Sequence, residues 1–295
     1  MNQFNNPSKD TWKTLIQRPT FSLDDHQVLV NEVFENIKNN GDEALLNYAK
    51  QFDKFELKEF AVNDNDISKA IRNIPKNLKN AIQNAKDNIY TFHKAQKTNK
   101  IQVETQEGIT CWQEKFPIEK IGLYIPSGSA PLFSTILMLA TPAKIAGCEE
   151  IILCSPPNSY GNIPDEVLFT ASLCGIDKIF KIGGIQAIAA MTFGTESIPK
   201  VYKIFGPGNQ YVTSAKQFAT RYSVSIDMPA GPSELLVAAD DTADPDFVAS
   251  DLLSQAEHGP DSQVVLVSTK KDFVEKVNKS IIYQIDELPR NDIVK

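Results

Sequence analysis

The 295-residue chain is about twice the usual ~150-residue domain, so its length allows one large domain or two smaller ones. Hydrophobic residues at 42% and charged residues at 23% are near globular averages and exclude disorder as the dominant state. Lys and Arg number 30 against 37 Asp and Glu, and the resulting net charge of −7 gives no electrostatic reason to bind nucleic acid.

The first 24 residues form an N-terminal arm without a clear apolar periodicity. From there to residue 50, Val30, Val33, Phe34, Ile37, Ala44, Leu45 and Tyr48 recur at helical spacing, broken at Asn40-Gly41, so two helices are expected. A further helical tract runs from Ile67 to about Ala95. Asn63, Asp64 and Asp66 are its capping candidates and Pro75 is a break point. Beyond residue 100 short β-branched runs alternate with helical stretches. Strands are expected at 109–116, 119–125, 149–154, 177–182 and 200–206, with helices at 130–147, 164–174, 185–193 and 208–222. Such βα alternation implies a parallel sheet with helices on both faces. Ligands then bind beyond the carboxyl ends of the strands. The turn-rich SIDMPAGPSE (225–234) separates this series from a second one, with a strand from 234, a helix at 245–258, another strand from 262 and a helix at 271–287. Two parallel strands make too small a sheet to stand alone, so this second series is expected to be unfinished or to borrow strands.

Three loops bring Gly and Pro directly after expected strands: YIPSGSAP (124–131), IGGIQA (182–187) and FGPGNQY (205–211). Glycine lets a backbone approach a ligand closely, and helix N-termini bind anions. Each loop alone reads equally as a tight βα turn; three on one edge favour a ligand site. No GxGxxG fingerprint is present, because Tyr211 stands where the third glycine belongs. Helix 245–258 ends with Gln255, Glu257 and His258 before Gly259-Pro260. Gln255 and His258 share a face and can begin a divalent metal site, although His at a helix C-terminus followed by Gly-Pro also reads as dipole pairing and a stop signal. Ser233 is a candidate polar contact, or simply a turn residue. No apolar run approaches the ~20 residues of a membrane span and no signal peptide is visible, so the expected location is cytoplasmic. Four cysteines without a CxxC pair read as reduced, and all four are expected to be buried or structural.

The segments GLYIPSGSAPLFSTILMLATPAKIAGC, GGIQAIAAMTFGTESIPKVYKIFGPGN, IDMPAGPSELLV and DFVASDLLSQAEHGPDSQV resemble the histidinol dehydrogenase family. So do GDEALLNYAKQFDK and TFHKAQK nearer the N-terminus. The resemblance implies an α/β fold of two Rossmann-like parallel-sheet domains with an N-terminal helical segment. Residues 25–123 and 234–295 would form a discontinuous zinc and substrate domain, truncated here, around an inserted NAD-side domain at 124–233. It implies oxidation of L-histidinol to L-histidine through the aldehyde, at the end of histidine biosynthesis, by a homodimer that uses NAD and one Zn2+ per subunit. By the same resemblance Tyr124, Gln186 and Asn209 would contact NAD, Ser233, Gln255 and His258 the substrate, and Gln255 and His258 the zinc.

The Glu-His pair that abstracts protons in the family, and the ligands completing its zinc site, have no counterpart up to Lys295. The chain is therefore expected to be an N-terminal fragment, inactive by itself. Two other readings remain: a related zinc- and NAD-dependent dehydrogenase of another small alcohol such as sulfopropanediol, and a non-catalytic binding module that keeps the NAD-side loops.

Overall fold

A computed structural model of the chain describes residues 2–17, 26–53, 59–126, 131–229, 233–258 and 262–288. Within it the chain divides into two compact units, Leu23–Ala230 and the pair of segments Met1–Ser22 and Gly231–Lys295.

The larger unit begins with helix α2 (Gln27–Tyr48), whose kink falls at the expected position: Gly41 has φ +51°. A side chain at Gly41 would run into the Glu196 carboxylate, which instead accepts a hydrogen bond from the Asp42 N–H at 2.8 Å. A short π-helix continues over Ala49–Asp53. Helices α3 (Asp64–Asn73) and α4 (Lys76–Ala95) follow, separated at Pro75 as expected. Asn63 caps α3, its side chain accepting from the Asp66 N–H. A hairpin of β1 (Ile101–Gln106) and β2 (Ile109–Gln113), whose first strand the sequence pattern did not announce, has every residue exposed.

Next come β3 (Lys120–Tyr124), α5 (Phe133–Ala146), β4 (Glu150–Ser155), α6 (Asp165–Leu173), β5 (Lys178–Lys181), α7 (Gly184–Phe193), β6 (Lys203–Phe205), α8 (Gln210–Ala219) and the two-residue β7 (Ser225–Ile226). These strands form one parallel sheet in the order β5-β4-β3-β6-β7. The side-chain period of two divides each central strand between two cores. Ile121, Leu123, Ile151 and Leu153 pack with α3 to α6, whereas Tyr124, Ile152 and Cys154 pack with α2, α7 and α8. Gly122 lets α7 lie close to the sheet, since a Cβ there would fall 2.4 Å from the Met191 sulfur. At the β5 edge, Val62 N–H donates to Ile179 O at 2.8 Å and Lys181 N–H to Phe60 O at 2.7 Å, so residues 60–62 cover part of an otherwise open edge.

The smaller unit contains α1 (Lys9–Leu15), which buries no residue, and a βαβα run of β8 (Glu234–Ala238), α9 (Pro245–Ala256), β9 (Gln263–Val267) and α10 (Lys271–Ile285). Asp244 caps α9 by accepting from the Asp246 N–H, and Pro245 occupies the first helical position. β8 and β9 pair in parallel, and one core joins Val248, Leu252 and Leu253 of α9 to Phe273, Val277 and Ile281 of α10. Leu235 and Val237 are partly buried, but Leu236 on the opposite face is 59% exposed. Parallel sheets are ordinarily covered on both faces; among the described residues of this unit, α9 and α10 pack on one.

The units differ from the division expected from sequence. Residues 25–123 do not group with 234–295: β3 is the centre of the larger sheet, α2 packs against α7, and α3 and α4 pack on the opposite helical layer, so all of these belong with 124–230. The expectation that every cysteine is buried or structural also fails. Cys111 is exposed because the whole hairpin is, Cys148 is half-buried, and only Cys154 and Cys174 are buried.

Candidate functional site

All five strands of the larger sheet run the same way, so their carboxyl ends share one edge. After β3 the chain moves outward through β4 to β5, then crosses back to β6 on the other side of β3. The turns leaving β3 and β6 therefore flank the point where strand order reverses, the position at which open α/β sheets bind ligands.

The described parts of these turns are tightly fitted. Gly206 has φ +134°, and a Cβ there would lie 2.0 Å from the Tyr124 carbonyl oxygen, so only glycine lets the turn after β6 run against the end of β3. Tyr124 is buried, and its hydroxyl accepts a hydrogen bond from the Gly184 N–H at 3.1 Å, joining the end of β3 to the start of α7. Gln186 is buried in the first turn of α7, with its amide beside Gly184. Asn209 is exposed at the N-cap of α8, where its side-chain oxygen accepts from the Val212 N–H at 3.1 Å. That bond leaves its amide N–H groups as donors toward a ligand. The structure thus brings Tyr124, Gln186 and Asn209 to one edge, the first two beneath the surface and the third on it. Residues 127–130 of the first loop lie outside the described residues.

Sequence reasoning missed a buried ion pair at this edge. Lys216, 3% exposed within α8, pairs with Asp227, the residue that follows β7. Lys216 Nζ also donates to the Gly206 carbonyl at 2.7 Å, and the second Asp227 oxygen accepts from the Gly206 N–H at 2.8 Å. Both backbone groups of the glycine are held by one charge pair. The signal available in the sequence is a lysine within the buried stretch VTSAKQFA of a helix.

In the smaller unit Ser233 is exposed immediately before β8, and its carbonyl accepts from the Gln263 N–H at 3.4 Å. Gln255 lies in the last turn of α9, and His258 is exposed just beyond, its N–H donating to Gln255 O at 3.2 Å. The side-chain nitrogen of Gln255 is buried without a hydrogen-bond partner. Because the two ends of an amide exchange by a 180° flip, this head group can equally present an oxygen. An under-satisfied amide and an exposed imidazole three residues further on are donors of the kinds taken by zinc, which binds N and O ligands and four of them. Among the described residues no group of three or more His, Cys, Asp or Glu is placed to hold a metal, so these two donors are a partial set. Gly259-Pro260, expected as the stop of this helix, lie outside the described residues.

No helix among the described residues is long and apolar enough to cross a membrane. A parallel sheet of this order, with helices on both faces and glycine turns at its reversal point, defines the larger unit as a doubly wound, Rossmann-like α/β domain. The sequence pattern of the histidinol dehydrogenase family matches residues 16–295. The chain is 54% identical over 287 residues to the histidinol dehydrogenase of Bacteroides thetaiotaomicron, a match covering 97% of this chain and 67% of that protein. It is 50% identical over 295 residues to that of Salmonella typhimurium, covering 99% of this chain and 67% of the relative. The crystal structure of histidinol dehydrogenase from Elizabethkingia anophelis superimposes with a TM-score of 0.93 at 56% identity, covering 98% of this chain and 67% of that one. The chain belongs to the histidinol dehydrogenase family, which places it among the oxidoreductases.

Proposed function

We propose that this chain carries the NAD-side surface and part of the zinc site of an enzyme that oxidises L-histidinol to L-histidine through the aldehyde, reducing two NAD. The observation that carries the reading is the meeting of Tyr124, Gln186 and Asn209 at the reversal point of one parallel sheet, in a chain whose family match spans 16–295.

In this reading the N-termini of α7 and α8 face the dinucleotide and favour its negative charge. Asn209 donates from its free amide hydrogens, while Tyr124 and Gln186 fix the shape of the turn from beneath. Ser233 offers a hydroxyl to the substrate, and Gln255 and His258 hold the zinc. When bound, zinc would supply a Lewis-acid template that orients an amino alcohol for hydride transfer. Neither Cys154 nor Cys174 serves as nucleophile: burial pushes both thiols up, away from the reactive thiolate. In this reading the residues of this chain bind and orient cofactor and substrate. The family implies a homodimer. The hairpin of β1 and β2 supports this, because it leaves Ile101, Val103 and Trp112 more than half exposed and is too small a sheet to be stable uncovered.

The test is calorimetric titration of the purified protein with NAD, together with the NADH formed from L-histidinol and from sulfopropanediol by the protein expressed from its complete gene. Saturable NAD binding weakened about tenfold by Asn209→Ala, with turnover of histidinol preferred, is expected. Absence of NAD binding, or a preference for sulfopropanediol, defeats the reading.

A further inference from the structure

We propose that Lys216 and Asp227 are positioning residues for the dinucleotide, setting the turn at Gly206 and cancelling a carboxylate that would otherwise repel phosphate at this edge. The inference rests on the reading of this edge as the NAD side.

The geometry is specific. Gly206 leaves β6 in a conformation that only glycine adopts readily, in contact with the Tyr124 backbone. Such a turn is not held by the strand ladder, because the pairing of β6 with β3 runs over Lys203–Phe205 and ends there. Its amide and carbonyl are taken instead by the two members of one ion pair, Asp227 and Lys216, which approach from opposite elements. Asp227 arrives from the end of β7, where its N–H donates to Ile204 O at 3.2 Å, and Lys216 arrives from inside α8. One bond from each member of the pair thus converges on the same glycine, fixing both of its backbone polar groups.

Asp227 is also a carboxylate at the carboxyl edge of the sheet, directly after β7, and its side chain is 27% exposed. Beside a bound pyrophosphate an unpaired carboxylate opposes binding. Lys216, almost wholly buried, supplies the compensating charge without presenting itself as a phosphate ligand. Lys216 therefore acts on the cofactor through Gly206 and Asp227 rather than by touching it.

The experiment compares wild type, Lys216→Arg, Lys216→Met, and the double variant Lys216→Met/Asp227→Asn, each checked for folding by thermal melting. NAD affinity is measured by calorimetry at low and high salt, and amide exchange is followed for the peptide containing Gly206. Lys216→Met is expected to weaken NAD at least tenfold, more at low salt than at high, because an uncompensated carboxylate repels the phosphates. Lys216→Arg restores binding to within threefold. Should Lys216→Met not fold, the double variant, which leaves no buried charge unpaired, decides the matter: faster exchange at Gly206 with NAD weakened at least fivefold supports the inference. A folded double variant that binds NAD as wild type does and protects Gly206 equally overturns it. If wild type fails to bind NAD, the cofactor reading falls and takes this inference with it; if Asn209→Ala weakens NAD and the double variant does not, the inference alone falls.

Discussion

The Tyr124 hydroxyl accepts a hydrogen bond from the Gly184 N–H at 3.1 Å, and so ties the end of β3 to the first turn of α7 across 60 residues of sequence. Tyr124 is buried, so its ring packs between sheet and helix while only the oxygen carries this bond. Tyr124→Phe keeps the ring and removes the acceptor. The expected cost is about 1 kcal/mol of stability, with NAD weakened about three- to tenfold as the start of α7 loosens. Chemical denaturation and an NAD titration measure the two effects, and unchanged affinity would show that the turn needs no such tie.

Gly206 sets a stricter constraint. Its φ of +134° disfavours any side chain, and a Cβ would meet the Tyr124 carbonyl at 2.0 Å, so Gly206→Ala must move one strand end or the other. A cost of order 3 kcal/mol is expected, which for a unit of this size lowers the melting temperature by about 6–12 °C. NAD binding should be lost at temperatures where the protein is still folded. A variant with wild-type melting and affinity would contradict the close approach described for this turn.

Much of this edge was legible in the sequence because glycine and proline after β-branched runs have few other uses. The kink at Gly41, the break at Pro75 and the cap at Asn63 were legible for the same reason: each is a local backbone requirement. Other features were not. The grouping of 25–123 with 234–295 failed because α2, α3 and α4 carry ordinary amphipathic faces, and nothing in a face says which sheet it covers. β7 and the Lys216–Asp227 pair were missed because a two-residue strand has no periodicity, and an ion pair between residues of two different elements appears only once the chain is folded.

The four cysteines have different surroundings, which predicts their order of reaction. Cys111 is exposed on the hairpin, Cys148 is half-buried and its thiol pushed up by burial, and Cys154 is fully buried with its thiol pushed up further. Alkylation of the native protein should modify Cys111 first and reach Cys154 only on unfolding. Peptide mass spectrometry over time reads this directly. Equal rates at Cys111 and Cys154 under native conditions would show that the sheet opens readily.

Glu150 provides a pH-dependent element at the opposite edge of the sheet from the candidate site. Lys178 at 2.6 Å and Lys120 at 3.2 Å hold its carboxyl below the usual range, the Lys178 hydrogen bond contributing most. A carboxyl depressed in the folded state stabilises above its unfolded pKa, and this contribution is lost as pH falls through the lower folded value. Glu150→Gln should therefore cost up to about 1 kcal/mol at pH 7, and the difference from wild type should shrink below about pH 4. NAD affinity should not change. Denaturation curves at pH 7 and pH 3.5 test this, and a gap that widens on acidification would reverse the assignment.

Gln255 and His258 make the sharpest prediction for the smaller unit, because they differ in burial. His258 is exposed, so His258→Asn should leave the metal-free melting temperature within about 1 °C of wild type, as surface substitutions usually do. Gln255 has a buried amide nitrogen without a partner, so Gln255→Leu removes an unmet polar group, and metal-free stability should hold or rise. Under the proposed function both variants should nevertheless bind zinc more than tenfold more weakly, since each removes one of the two proposed donors. Zinc titration with a competing chelator, run beside melting curves with and without metal, separates the two effects. Zinc affinity unchanged in both variants would mean that the end of α9 is a helix terminus and nothing more, the alternative that spacing alone had left open.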